Sequence, residues 1–247
     1  MQATPVPKRI AMWSGPRNIS TAMMRAWENR ADTVVVDEPF YASYLDRTGL
    51  DHPGREQVLA SQPRDYRQVV KQLQQLSPPG HSIVYQKQMT HHIAADMDLD
   101  WLGGMTHGFL LRQPRKMLAS LLRVLPDASL DDTGLPQQLR LYRSVCQLSE
   151  SAPPVVDSDE LLRDPKTMLT RLCAALGVGF DEAMLHWPAG PRASDGVWAP
   201  HWYASVERST GFAAPVETHP EIPSDKHAVL DACEKIYSEL SEHRIRP

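Results

Sequence analysis

A junction near the start of the chain constrains its fold more than any other feature: an apolar run gives way, across one turn, to a helix. Residues Arg9 to Trp13 are apolar in pattern and stop at Ser14-Gly15-Pro16, which reads as a strand entering a turn. Ala22, Met23, Ala26 and Trp27 then recur at helical spacing, with Ser20 and Thr21 where helix starts favour hydroxyls. The loop from Ser14 to Thr21 therefore joins a strand to a helix start.

That arrangement suits an anion. Main-chain N–H groups at a helix N-terminus, helped by the macrodipole, attract phosphate, and Arg17 adds a forked cation matched to phosphate or sulfate oxygens. Gly15, Pro16, Arg17, Asn18, Ile19, Ser20 and Thr21 are thus candidate phosphate-binding residues. The ATPase and GTPase signature G-x-x-x-x-G-K-[ST] is not met, because Ser20-Thr21 follow Ile19 where Gly-Lys belongs. Phosphate binding is expected and ATP as substrate is disfavoured. Taken alone, the octet also suits, less well, an ordinary strand-to-helix turn with a capping hydroxyl.

The rest of the chain repeats the alternation. Further strands are expected at Thr33 to Val36, Ser82 to Gln88, Gly108 to Leu111 and Pro154 to Val156. Helices are expected at Tyr66 to Leu76, Thr90 to Ala95, Pro114 to about Leu125, Leu135 to Leu148, Pro165 to Leu176 and Lys226 to His243. Phe40 to Arg64 is polar and rich in turn formers, and reads as an irregular excursion with at most a short helix. Gly190 to Phe212 reads as a loop region bearing Gly and Trp. Short strands alternating with amphipathic helices predict an α/β fold, three layers αβα around a mostly parallel central sheet. No linker divides the chain, so residues 1–247 are expected to form a single domain.

Composition excludes several classes. A formal net charge of −4 over 247 residues offers no broad basic field for nucleic acid or an anionic membrane. Cys146, Cys173 and Cys233 are too dispersed for a zinc site and are expected to be reduced and buried. The histidines have no ligand spacing, so no metal is expected. No stretch reaches the ~20 apolar residues of a membrane span, and a cytoplasmic location follows as the default. Oligomeric state leaves no signal.

With these motifs in order, the sequence resembles the sulfotransferase family, P-loop NTPase-like proteins that use 3′-phosphoadenosine 5′-phosphosulfate (PAPS). Pro16 to Thr21 is a variant of the family's P-[KR]-S-G-[ST]-T core, with Asn18-Ile19 in place of Ser-Gly. Phe109 to Pro114 matches its strand followed by R-x-P, and Ser120 lies eight residues beyond Arg112, as the pattern requires. Val155 to Leu162, Asp164-Pro165 and the helix ending Leu176-Gly177 are similar to its Y-E-D-L, D-P and L-x-x-x-L-G succession, with Asp157-Ser158 for Tyr-Glu. Arg192 to Trp198 resembles its R-x-G-x-x-G-x-W loop.

The resemblance implies PAPS as donor and PAP as product, with Arg112, Ser120 and Arg192 on the 3′-phosphate. It implies a sulfuryl group passed to a hydroxyl or amine of a small-molecule acceptor. Arg17 is the candidate for stabilising transferred and bridging oxygens. For the base, Glu38 in Asp37-Glu38-Pro39 resembles a G-E-P segment that supplies a catalytic Glu in one bacterial branch. His91 and His92 lie near the histidine of a K-T-H segment in cytosolic members, although Met89 occupies that histidine's place. Lys87 is a further candidate near the donor. Trp198, Trp202, Tyr203 and Phe212 are expected to pack or to wall an adenine or acceptor. A P-loop small-molecule kinase, and a non-catalytic PAP- or nucleotide-binding protein, remain the alternative readings.

Overall fold

Residues 6–149 and 151–247 are described by a computed structural model. Five strands, β1 (Lys8–Ser14), β2 (Thr33–Asp37), β3 (Ile83–Met89), β4 (Thr106–Leu111) and β5 (Val155–Asp157), form one sheet in the order β2-β3-β1-β4-β5. Every pairing is parallel. All five carry the expected apolar runs, with bounds moved by one or two residues.

The helices are α1 (Ser20–Glu28), α2 (Tyr41–Thr48), α3 (Arg55–Ser61), α4 (Tyr66–Gln75), α5 (Pro114–Leu122), α6 (Leu135–Leu148), α7 (Ser158–Arg163), α8 (Pro165–Ala175), α9 (Ala199–Trp202), α10 (Ala204–Glu207) and α11 (His227–Ser241). Alternation along β1 divides the core. Ile10 and Met12 join a cluster with Met23, Trp27, Leu169 and Leu172 on one face. Ala11 and Trp13 join Leu73, Leu141, Val145 and Leu240 on the other. A parallel sheet buried on both faces is the three-layer arrangement expected.

Three local expectations are corrected. Phe40 to Arg64 holds two helices, α2 closed by Gly49 at φ 69° and α3 entered through Gly54 at φ 75°. Each spans only about two turns, too short for its period to stand out. The helix expected from Thr90 to Ala95 is a single 3-10 turn, Thr90–His92. Thr90 does not cap it: its hydroxyl donates to the Gly134 carbonyl at 2.8 Å. The stretch Gly190 to Phe212 contains α9 and α10 rather than loop alone.

From β1 the chain runs to the edge strand β2, returns through β3 beside β1, then crosses to β4 and β5 on the other side. Ligands in open parallel sheets bind outside the carboxyl ends of the strands, where that order reverses. The loops that follow β1, β2, β3 and β4 all open at this edge.

Candidate active site

A cleft of about 980 Å³ lies along that edge, lined by Pro16 to Ala22, Glu38, Lys87, Met89, His91, His92, Arg112 and Lys116, among others. Gly15 lies beneath the loop. A Cβ there would sit 2.4 Å from the Thr133 carbonyl oxygen, so close backbone approach requires a glycine. Asn18 ties the loop to the sheet: its amide donates to the Leu110 carbonyl at 3.2 Å and its Oδ1 accepts from Ile19 N–H at 2.8 Å. No side chain caps α1, so the first N–H groups of that helix face the cleft without a side-chain acceptor.

Arg17 and Glu38 are the non-glycine residues with positive φ among the described residues, at 57° and 37°. Arg17 Nε donates to Ser120 Oγ at 3.0 Å, and Arg112 donates to the Arg17 carbonyl. The expected phosphate residues of the β1 and β4 loops therefore meet. Lys116, one turn before Ser120 on α5, lines the same cleft and pairs with Asp159 at 2.7 Å. That i, i+4 relation to Ser120 was a readable signal, and sequence reasoning passed over it.

Arg192 is not brought to the cleft. Its guanidinium donates to the Pro188 carbonyl at 3.1 Å, and its N–H to Asp195 at 2.8 Å. The loop serves β2 instead: Asp195 pairs with buried Arg25 at 2.6 Å, and Gly196 N–H donates to Asp37 Oδ2 at 3.1 Å. Trp198 and Tyr203 are core residues, and the Trp198 indole donates to the Tyr203 hydroxyl at 3.0 Å. Trp202, Tyr203 and Phe212 line the cleft.

Lys87 is the hub of the acidic side. Its Nζ donates to Asp37 Oδ1 at 2.9 Å, to the Tyr203 hydroxyl at 2.7 Å, and to Glu38. The register Asp37↔Lys87 of β2 on β3 places them side by side. Burial opposes the ammonium, but Asp37 and Glu38 outweigh it and hold Lys87 well above the ordinary lysine range. Burial pushes the Glu38 carboxyl up against the pull of Lys87, and the charge of Asp37 adds to the rise. Asp37 and Tyr203 were missed as partners of Lys87, because only tertiary packing brings residue 203 to β2.

His92 Nε2 lies 4.0 Å from Glu38 Oε2. Its ring stacks on Tyr41 and on Tyr44, each at 4.8 Å between centroids, and His91 meets Tyr44 edge-on at 5.2 Å. Burial drives both imidazoles down, His91 to about 3 and His92 well below the ordinary histidine value. Both are neutral at pH 7. Met89 receives the Ser14 hydroxyl at its sulfur, 3.8 Å away.

A sulfotransferase domain family model matches residues 8–243. The chain belongs to the sulfotransferase family. Two curated relatives from Arabidopsis thaliana, branched-chain-amino-acid aminotransferase-like proteins 1 and 2, share 38% identity over 96% of the chain and 34% over 95%. The sulfotransferase chain spans only 42% and 41% of their lengths. Among solved structures, the sulfotransferase domain of the Synechococcus PCC 7002 olefin synthase aligns at a TM-score of 0.56 with 17% identity, covering 94% of this chain and 98% of that one. The sulfotransferase domain of the curacin biosynthetic pathway aligns at 0.56 with 14% identity, covering 98% and 99%. At such identities these two establish a shared fold. Among the described residues, no helix is long and apolar enough to cross a membrane, and no cluster of His, Cys, Asp and Glu has metal-site geometry.

Proposed function

We propose that this sulfotransferase domain moves a sulfuryl group from PAPS to a hydroxyl or amine of a small-molecule acceptor, with Glu38 as the base. The observation that carries the reading is the division of the cleft. Arg17, Arg112 and Ser120 meet beside the β1 loop, which supports a grip on a doubly phosphorylated nucleoside, and Glu38 and Lys87 stand near the ends of the neighbouring strands.

In the reaction, the acceptor oxygen or nitrogen attacks sulfur while the bond from sulfur to the bridging oxygen of the 5′-phosphate breaks. Glu38 takes the acceptor proton, and the electron pair leaves with PAP. The free N–H groups of α1 and the Arg17 guanidinium offset charge on the transferred and leaving oxygens. A carboxyl raised by burial is a stronger base than an ordinary glutamate, and Lys87 keeps it ionised enough to act. His91 and His92, neutral and packed on tyrosines, support a role in shaping the site. Glu38 supplies the basic atom.

Binding of PAP at 100 times its dissociation constant adds about 2.7 kcal/mol of stability. PAP is expected to raise the Tm and ATP to leave it unchanged; stabilisation by ATP and none by PAP would refute the reading. Glu38→Gln is expected to lower kcat/KM by about 100- to 10,000-fold, the span of general base catalysis, while the PAP-induced Tm rise persists. Unchanged turnover in that variant would move the base elsewhere.

A further inference from the structure

The acceptor end of the cleft carries its own charge pattern, and its meaning rests on the sulfuryl-transfer reading above. Arg17 and Arg112 line the donor end, and neither pairs with a carboxylate among the described residues. Tyr41, Tyr44, His52, His91 and His92 line the other end together with Asp51 and Asp132. Lys87 lines the cleft as well, and Asp37 and Glu38 already occupy it. Among the described residues no unpaired Lys or Arg lines this end.

Asp51 is exposed at the rim of the cleft and Asp132 is half-buried. Asp51 and Asp132 both reach His52 electrostatically, and Asp132 also reaches Tyr44 and His91. Ser129 holds one Asp132 oxygen through its N–H at 2.8 Å and its hydroxyl at 2.6 Å, which fixes the carboxylate in position.

A second observation is independent of the charges. The Nδ1 atoms of His91 and His92 are buried without a hydrogen-bond partner, and both rings line the cleft. The His92 side chain is only 2% exposed, so water gives it little relief. Buried polar atoms left unpaired are rare in folded proteins and point to a ligand that completes them.

We propose that this end is a cation-selective acceptor subsite: it takes a hydroxyl compound bearing an ammonium group and rejects carboxylates. The ammonium is received by Asp51 and Asp132. His91 and His92 offer neutral ring nitrogens to the polar groups of the acceptor, whose hydroxyl points to Glu38. A carboxylate entering here loses its water, faces two like charges and finds no free cation.

Three phenols of matched shape isolate the charge: tyramine, para-ethylphenol and phloretate. Calorimetric titration into the PAP-saturated protein is expected to rank them in that order, with phloretate at least about 100-fold weaker than tyramine, as like-charge juxtaposition implies. The double variant Asp51→Asn, Asp132→Asn is expected to bring tyramine down to the level of para-ethylphenol, with its PAP-induced Tm rise certifying the fold. Phloretate binding as tightly as tyramine, no binding of tyramine, or a preference untouched by the double variant each overturns the subsite. A wild-type protein that PAP does not stabilise overturns the sulfuryl-transfer reading and the subsite with it.

Discussion

Glu38 holds a left-handed backbone that costs of order 1–3 kcal/mol outside glycine, and its surroundings compel it. Its N–H donates to the Lys87 carbonyl at 3.0 Å, and its own carbonyl accepts from Gln62 at 3.0 Å. The side chain is thereby aimed at Lys87, whose charge opposes the upward push of burial. Removing that charge with Lys87→Met is expected to move the acid limb of the kcat/KM profile to higher pH, because Glu38 then ionises later. An acid limb that stays in place would show that another group governs it. The paired histidines give a stability prediction of opposite sense. Their folded pKa values lie below the unfolded value of 6.5, so the unfolded chain binds the extra protons. Stability from this source is complete above pH 6.5 and is lost as pH falls toward about 3 for His91. Urea unfolding at stepped pH is expected to show a shallower acid decline in His91→Gln and His92→Gln.

At the scale of elements, the β1 loop depends on a neighbour far along the chain. Gly15 packs under the Thr133 carbonyl, and Gly134, at φ 69°, would place a Cβ 2.6 Å from Thr90 Oγ1. Thr90 donates to the Gly134 carbonyl and, at 3.3 Å, to that of Ser14. The turns after β1 and β3 and the start of α6 thus form one clamp. Gly15→Ala is expected to push the loop off Thr133 and weaken PAP affinity by about tenfold or more, a loss of roughly 1.4 kcal/mol. Titration of the variant with PAP checks this, and unchanged affinity would mean that the clamp gives way without moving the loop.

Across the whole molecule, the sheet is a platform with two sealed faces, and the site sits only at its carboxyl edge. Trp27 is fully buried, stacked on Tyr85 at 5.1 Å between centroids on the face that α1 covers. Trp27→Ala is expected to cost about 3–5 kcal/mol of stability. PAP affinity of the folded fraction is expected to hold, since the indole is remote from the cleft lining. Chemical denaturation with and without PAP separates the two effects.

Local pattern and spacing determined the five strands, the parallel α/β class and the strand-loop-helix unit at β1. These features are written in neighbouring residues, where apolar periodicity and turn chemistry act over a few positions. The base was left open between Glu38, His91 and His92, and the resemblance put Arg192 at the 3′-phosphate of the donor, whereas its guanidinium turns to the Pro188 carbonyl. Packing set the surroundings of each: burial lowers the affinity of both histidines for a proton, β2 beside β3 joined Lys87 to Glu38, and the loop of Arg192 folded onto Arg25 and Asp37. Desolvation and charge pairing depend on which distant segments close over a group. That information exists only once the chain is folded.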